Sequence, residues 1–421
     1  MLPSSGGGIL SSRDNNEEAV MSEPYDVIVV GARCAGSPTA MLLARRGHRV
    51  LLVDRATFPS DTMSTHMIHA PGVAALRRWG LDGRVAATGC PPVTTYSFDF
   101  GPFRLSGSPR PVEGNAVGYA PRRTVLDAIL VDAVAEAGAE IREGFTVDGL
   151  LTEGGRVTGI RGHGRDGTRV TERAEVVAGA DGLHSLVAEA VGAPRYNEHP
   201  TLDAAYYAYW RGVPTSGFEA WVRPGRAVGL IPTNDGLTCV VMNWPRSELV
   251  ANRADVEGSF LRTLDLAPEL AGRVAAGERV TRIVGTGHQP SFYRRPYGPG
   301  WVLAGDAGFH KDAITAQGIS DGFHDAGRLA RALSEVLAGR AAFDDAMAAC
   351  QRARDEATSA MFELTLGFAS LEPPPPEMAE LLHASAGNQD AMDGFVSMIA
   401  GTLPVPEFLG PGNRARILAT A

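Results

Sequence analysis

The stretch Tyr25-Asp26-Val27-Ile28-Val29-Val30-Gly31-Ala32-Arg33-Cys34-Ala35-Gly36 decides the architecture. Residues 25–30 form a short, nearly continuous apolar run, as strands buried in a parallel sheet do. The periodic stretch 36–46, closed by Gly47, predicts a helix. A second apolar run, Arg49-Val50-Leu51-Leu52-Val53, ends at Asp54. Strand, helix and strand in this order make a βαβ unit, so the expected fold class is α/β with a Rossmann-like parallel sheet. The turn departs from G-x-G-x-x-G because Arg33 replaces the middle glycine. Gly31 still permits a tight turn, and Gly36 still permits close packing of helix on strand. The helix start offers free N–H groups and a positive dipole end to a pyrophosphate. Asp54 lies about twenty residues on, where a carboxylate can accept from ribose hydroxyls. Gly31, Arg33, Ala35, Gly36, Asp54 and Arg55 are therefore the candidate dinucleotide-site residues of this unit, with Arg33 turned outward or paired with a phosphate.

A second string, Gly162-His163-Gly164-Arg165-Asp166-Gly167, fits G-x-G-x-x-G in full. The strand-like Thr168-Arg169-Val170-Thr171 follows it, so no helix is there to face a phosphate, and Arg165-Asp166-Gly167 reads as a hairpin turn. One dinucleotide fold is expected. Residues 124–137 predict a helix feeding a strand near 140–143, and 157–177 is rich in strand. Residues 202–243 alternate apolar and polar side chains, as a half-exposed antiparallel sheet does. Trp301-Val302-Leu303-Ala304 is a last buried strand, ahead of a helix over about 318–338. From 343 onward the pattern is helical, with a stiff bend at the prolines of 373–376. The expected division is a disordered tail, 1–22; a discontinuous dinucleotide-binding domain, 23–90, 116–195 and 290–340; a substrate-binding sheet domain, 91–115 and 196–289; and a helical C-terminal region, 341–421.

The chain has 421 residues and a formal charge of −9, which argues against a nucleic-acid partner. Cys34, Cys90, Cys239 and Cys350 are scattered without metal or redox spacing, which points to free thiols, no metal and a cytoplasmic setting. No apolar run approaches membrane-spanning length, and the first twenty or so residues lack the basic and apolar regions of a signal peptide. A homodimer is left open. Lys311 is the only lysine.

Two further motifs complete the reading. Val176-Val177-Ala178-Gly179-Ala180-Asp181-Gly182 is followed by Ser185 and Val187. Gly305-Asp306-Ala307-Gly308 runs on to Gln317-Gly318-Ile319 and Asp325-Ala326. With the first motif, in this order, the chain resembles the FAD-dependent aromatic hydroxylases typified by para-hydroxybenzoate hydroxylase. Geranylgeranyl reductases and flavin halogenases share that flavin fold. The resemblance covers about 25–336, and Arg123 matches a fourth family position. It implies FAD as the cofactor, with Asp306 accepting from ribityl hydroxyls and Gly305 beside it. Gly318 and Ile319 would open a helix whose positive end faces the flavin N1–C2=O edge. Asp181 would shape the pyrophosphate region, Arg123 would approach the phosphates or ribityl, and Val147 would contact adenine through its backbone. The family's arginine after Ser-x-Val is Ala188 here, so its contact is missing.

The resemblance further implies a monooxygenase. In that family NAD(P)H reduces the flavin, O2 adds to give a C4a-hydroperoxide, and one oxygen passes to a small, often aromatic or specialised-metabolite, substrate by hydroxylation or epoxidation. Tyr207, Tyr209 and Arg211 fall on one face of the alternating strand, and Trp221, Arg223 and Asn243 are further substrate-wall candidates. His310 and Lys311 follow Asp306 closely and are the catalytic candidates, with a solvated turn as the alternative. His66 and His69 read as ordinary core histidines. A geranylgeranyl-type reductase saturating C=C bonds is the rival, on Gly229-Leu230-Ile231-Pro232 and Gly236. Halogenation is disfavoured, because 57–67 holds no lysine and 221–232 lacks the W-x-W-x-I-P pair of tryptophans. A non-catalytic protein that lost its flavin is disfavoured by the retained Asp306.

Overall fold

The computed structural model describes residues 23–420, so the tail expected over 1–22 lies outside the described residues. Strand Tyr25–Val30 pairs in parallel with Val50–Asp54 on one side and with Arg169–Gly179 on the other. Trp301–Leu303 and Glu140–Glu143 extend the parallel sheet at either end. Val27, Ile28 and Val29 are fully buried because both faces of the sheet are covered. Helices Gly36–Ala44, Arg123–Glu136 and Gly318–Leu337 share one apolar cluster on one face. The string 162–167 sits in a hairpin: Arg156–His163 pairs antiparallel with Arg169–Gly179, and Gly167 N donates to Gly164 O at 3.0 Å.

The second large sheet runs Glu278–Arg279, Asp203–Arg211, Leu237–Pro245, Arg226–Pro232, Phe218–Arg223, Tyr96–Asp99, Arg104–Gly107. Its neighbours are antiparallel except Phe218–Arg223 and Tyr96–Asp99, which run parallel. These two strands are joined only through the dinucleotide domain, so no hairpin dictates their direction. Alternation then sorts the side chains. Tyr207, Tyr209, Ile231, Cys239, Val241 and Phe98 share one cluster with the C-terminal helices Pro376–Ser385, Gln389–Ile399 and Val405–Leu409. Tyr206, Trp210, Trp221, Met242 and Trp244 pack on the other face with Val256–Leu264 and Pro268–Ala275.

The helix Phe343–Ala369 ends before the proline run, whose last member, Pro376, opens the next helix, where its missing N–H costs nothing.

Candidate active site

The first turn is built by its glycines. Gly31 has φ +105°, and a Cβ there would lie 2.4 Å from the carbonyl oxygen of Ala180. A Cβ on Gly36 would meet Gly31 O at 1.7 Å, so only glycine lets this helix start directly over the strand end. Asp54 closes the turn: its oxygens accept from Ala32 N and Ala56 N, both at 2.7 Å. Each oxygen keeps a lone pair for a further donor. The neighbouring Arg55 is exposed. No side chain caps helix Gly36–Ala44 and no acid stands in its first turn, so its positive end is free.

Arg33, in place of the middle glycine, does not turn outward. It pairs with Asp127 and reaches Ser60 Oγ at 3.0 Å. Arg123 grips the same carboxylate with two bonds, Nε at 3.0 Å and Nη2 at 3.1 Å. Asp127 is fully buried, and two arginines on one carboxylate leave a net positive charge beside the first turn. The Cys34 thiol lies 3.6 Å from Asp127, and burial first of all pushes it up to about 12, so it stays protonated.

The later motifs converge on this place. Gly305 (φ +59°) donates to Asp325 at 2.9 Å, and a Cβ on it would lie 2.7 Å from the Ala35 Cβ. Asp306 is exposed. It sits close enough to help hold the charge on Arg123. Helix Gly318–Leu337 also starts without a side-chain cap, with Ile319 buried in its first turn. Asp181 turns inward: it accepts from Ser185 Oγ at 2.5 Å and Val187 N at 3.2 Å, pinning the next short helix rather than reaching a phosphate. Val147, second in strand Thr146–Glu153, lies opposite Gly162 and follows closely on Phe145, whose N–H donates to Asp54 O at 2.9 Å.

The turn 310–317 departs from expectation. Lys311 is neither solvated nor free: it is buried, ion-paired with Asp321, and 5.0 Å above the Phe309 ring. Asp321 stands in the first turn of the following helix, where a carboxylate is favoured, and so draws the lysine inward. His310 bonds Pro290 O at 2.5 Å through Nδ1 and stacks on Phe292. Next to them Asp312 meets Asp203, both fully or nearly buried. Burial first and the Asp203 charge second raise Asp312 well above the usual carboxylate range. Asn243 and Gln289 donate to Asp203 at 2.6 and 3.1 Å. This knot ties the substrate-side sheet to the turn after Asp306.

Among the substrate-wall candidates, Tyr207 and Tyr209 face the dinucleotide domain, where they meet the segment after the second strand. His66 is fully buried, bonds Tyr209 Oη through Nε2, and stands edge-on to Tyr207 at 5.9 Å. Its backbone is left-handed, φ +63°. Burial, then the charge of Arg123, pushes it down to about 3, so the ring is neutral. His69 bonds Tyr96 Oη at 2.9 Å and Thr315 O at 3.2 Å. Three candidates lie elsewhere. Arg211 is exposed at the far strand end, 3.8 Å from Glu278. Trp221 and Arg223 point to the helix-covered face, Arg223 bonding Leu266 O at 3.2 Å. The reason is parity: Trp221 pairs with Val228, which faces helices Val256–Leu264 and Pro268–Ala275, whereas Tyr209 pairs with Cys239, which faces the C-terminal helices.

Asp127, Arg122, Asp203 and Asp312 were absent from the sequence-derived candidates. Only Asp127 carried a signal, as the i+4 partner of Arg123 on a predicted helix.

Residues 24–363 match the family described as FAD binding domain. The chain belongs to that family. It is 28% identical over 317 residues to a digeranylgeranylglycerophospholipid reductase of Methanocella arvoryzae, covering 74% of this chain and 77% of the relative. Digeranylgeranylglycerophospholipid reductase 1 of Methanopyrus kandleri is 30% identical over 315 residues, covering 70% and 76%. Among solved structures, the myxobacterial chondrochloren halogenase CndH superposes with a TM-score of 0.78 at 22% identity, covering 95% of this chain and 98% of that one, a likeness of fold. The family makes the chain an FAD-dependent oxidoreductase. Its residues fit the group: two uncapped helix starts, the arginine pair on Asp127 and the Asp306 carboxylate, which lies near Arg123, flank a Gly305–Ala35 approach that a Cβ would close. No helix among the described residues is long and apolar enough to cross a membrane.

Proposed function

We propose that the protein is an FAD-dependent monooxygenase that uses NAD(P)H and O2 to put one oxygen atom into a small organic substrate. The substrate lies between Tyr207 and Tyr209 and the turn leading to Gly318. The observation that carries this reading is the state of the sheet face beyond the tyrosines. It is filled by the chain's own C-terminal rings: Phe98 meets Phe395 at 5.2 Å, and Phe395 meets Phe408 at 6.1 Å. A long isoprenoid chain would need that groove, whereas a small ligand needs only the polar end at His66, Tyr207 and Tyr209.

Bound FAD supplies the two-electron redox chemistry and the activation of O2. The chain's residues bind and orient. Asp306 would accept from the ribityl hydroxyls, and the helix start at Gly318 and Ile319 would stabilise negative charge at the ring edge. Gly31, Ala35 and Gly36 would receive the pyrophosphate, with Arg33 and Arg123 nearby; Asp54, flanked by Arg55, would accept from ribose, and Val147 would border the adenine. Lys311 acts through Asp321, holding the first turn of that helix, as a positioning residue, with His310 bracing the same turn.

A reductase acting on C=C bonds is the second reading, supported by the names of the two relatives. Turnover under 18O2 separates the two. A product two mass units heavier than under 16O2 supports oxygen insertion; an unlabelled product gaining two hydrogens supports the reductase.

A further inference from the structure

The polar end at Tyr209, where the proposed reaction places its substrate, holds polar groups to which no task has yet been given. His66 spends Nε2 on the Tyr209 hydroxyl, while its Nδ1, buried like the rest of the side chain, has no hydrogen-bond partner. The ring is held there by a backbone at φ +63°, a region a histidine enters only under constraint. The guanidinium of Arg122 lies 4.6 Å over the Tyr209 ring. Its Nη2 reaches Asp61 at 3.1 Å, while its Nε is buried and without a partner. Arg122 is also the residue from which helix Arg123–Glu136 starts, with no side-chain cap and no acid in the first turn. A buried imidazole nitrogen and a buried guanidinium N–H, both without a partner, and an uncapped helix start thus lie around one phenol, and buried polar groups without partners are costly. The facing charges are Arg123, which shares the Asp127 carboxylate with Arg33 and leaves a net positive charge there, and Asp61, which is half exposed and turned to Arg122 Nη2.

We propose that His66, as the Nδ1–H tautomer, and Arg122 Nε–H form an oxyanion subsite that takes a phenolate or carboxylate oxygen of the substrate. The inference deepens the small-substrate reading above and rests on it. A neutral histidine suits this task, because it donates without bringing a second full charge into the buried wall. The arginine supplies the charge, and Tyr209 fixes both donors by accepting the cation on its ring and holding Nε2.

Benzoate and toluene, the same ring with and without an anionic oxygen, are titrated into the FAD-loaded protein while the flavin absorbance is followed. Benzoate is expected to bind at least about tenfold tighter than toluene. His66→Asn, which tolerates the left-handed backbone but is too short to reach, and Arg122→Gln, at a partly exposed position, should each weaken benzoate about tenfold or more. Both should leave toluene and the FAD dissociation constant within about twofold. Equal binding of the two probes by the wild-type protein overturns the subsite, as does unchanged benzoate affinity in both variants. Loss of FAD affinity with benzoate affinity retained overturns it too, and assigns the donors to a flavin oxygen. None of these readouts depends on oxygen transfer, so failure here and failure of the monooxygenase reading are told apart by the 18O2 experiment.

Discussion

His69→Gln should reveal the histidine in the pH dependence of stability. His69 is buried between Tyr96 and Thr315, and both its nitrogens are engaged. A carbonyl can only accept, so Nε2 carries the proton and Nδ1 takes the Tyr96 hydroxyl; a second proton would bring a charge into the buried site and force that hydroxyl to turn and accept. Burial pushes the imidazole from 6.5 down to about 4. Between these values the unfolded chain binds a proton that the folded protein refuses. The stability this group contributes is therefore intact above pH 6.5 and is lost as pH falls toward 4. From pH 7.5 to 5.5 the loss is about 1.4 kcal/mol, since the unfolded histidine gains about one unit's worth of proton binding over that range. Glutamine does not titrate. Urea unfolding of both proteins, loaded with FAD, should show the wild-type advantage shrinking by about 1.4 kcal/mol on acidification. Asp312, whose raised value acts in the opposite direction, is common to both and drops out of the difference. Parallel pH profiles, or an advantage that grows as the pH falls, would falsify the claim that His69 is neutral in the fold.

Asp306→Ala should leave the apoprotein melting temperature within a few degrees, since this side chain is exposed, but weaken FAD by at least about tenfold; equal flavin content after dialysis contradicts the ribityl assignment. Gly31→Ala should cost on the order of 3 kcal/mol, because a Cβ at φ +105° runs into Ala180 O, and a denaturation midpoint like the wild type's would show the turn to be more yielding than its geometry. A double-mutant cycle of Lys311→Met and Asp321→Leu should give a coupling above ~1 kcal/mol, beyond the range of exposed ion pairs; a coupling near zero returns Lys311 to the status of a solvent-facing charge.

Local rules carried the dinucleotide half of the molecule. The run at Val27 to Val30, the glycines at 31 and 36 and the acid at 54 each obey a constraint visible within a few residues. The hairpin at 162–167 was legible for the same reason, since a strand rather than a helix follows it. The substrate side was less so. Periodicity assigns residues of one strand to two faces but does not say how the faces of two strands correspond; the pairing of Trp221 with Val228 decides that, and Trp221 and Arg223 went to the wrong side. His66 was unremarkable in sequence because its role depends on Tyr209, 143 positions away. The Asp203–Asp312 pair was hidden by a similar separation, as was the grip of Arg33 on Asp127, 94 positions away.

Phe395 and Phe408 lie beyond residue 363, where the family match stops, yet they occupy the face on which the sheet would receive a long ligand. Ligand size and fold stability are thereby bound to the same two rings. Trimming Phe395 to alanine to admit a bulkier molecule removes a fully packed aromatic, at roughly 3–5 kcal/mol, a large part of what a domain has to lose. On the small-substrate reading, admitting a bulkier ligand at this face requires surplus stability elsewhere, or a C-terminal helical cap of a different shape.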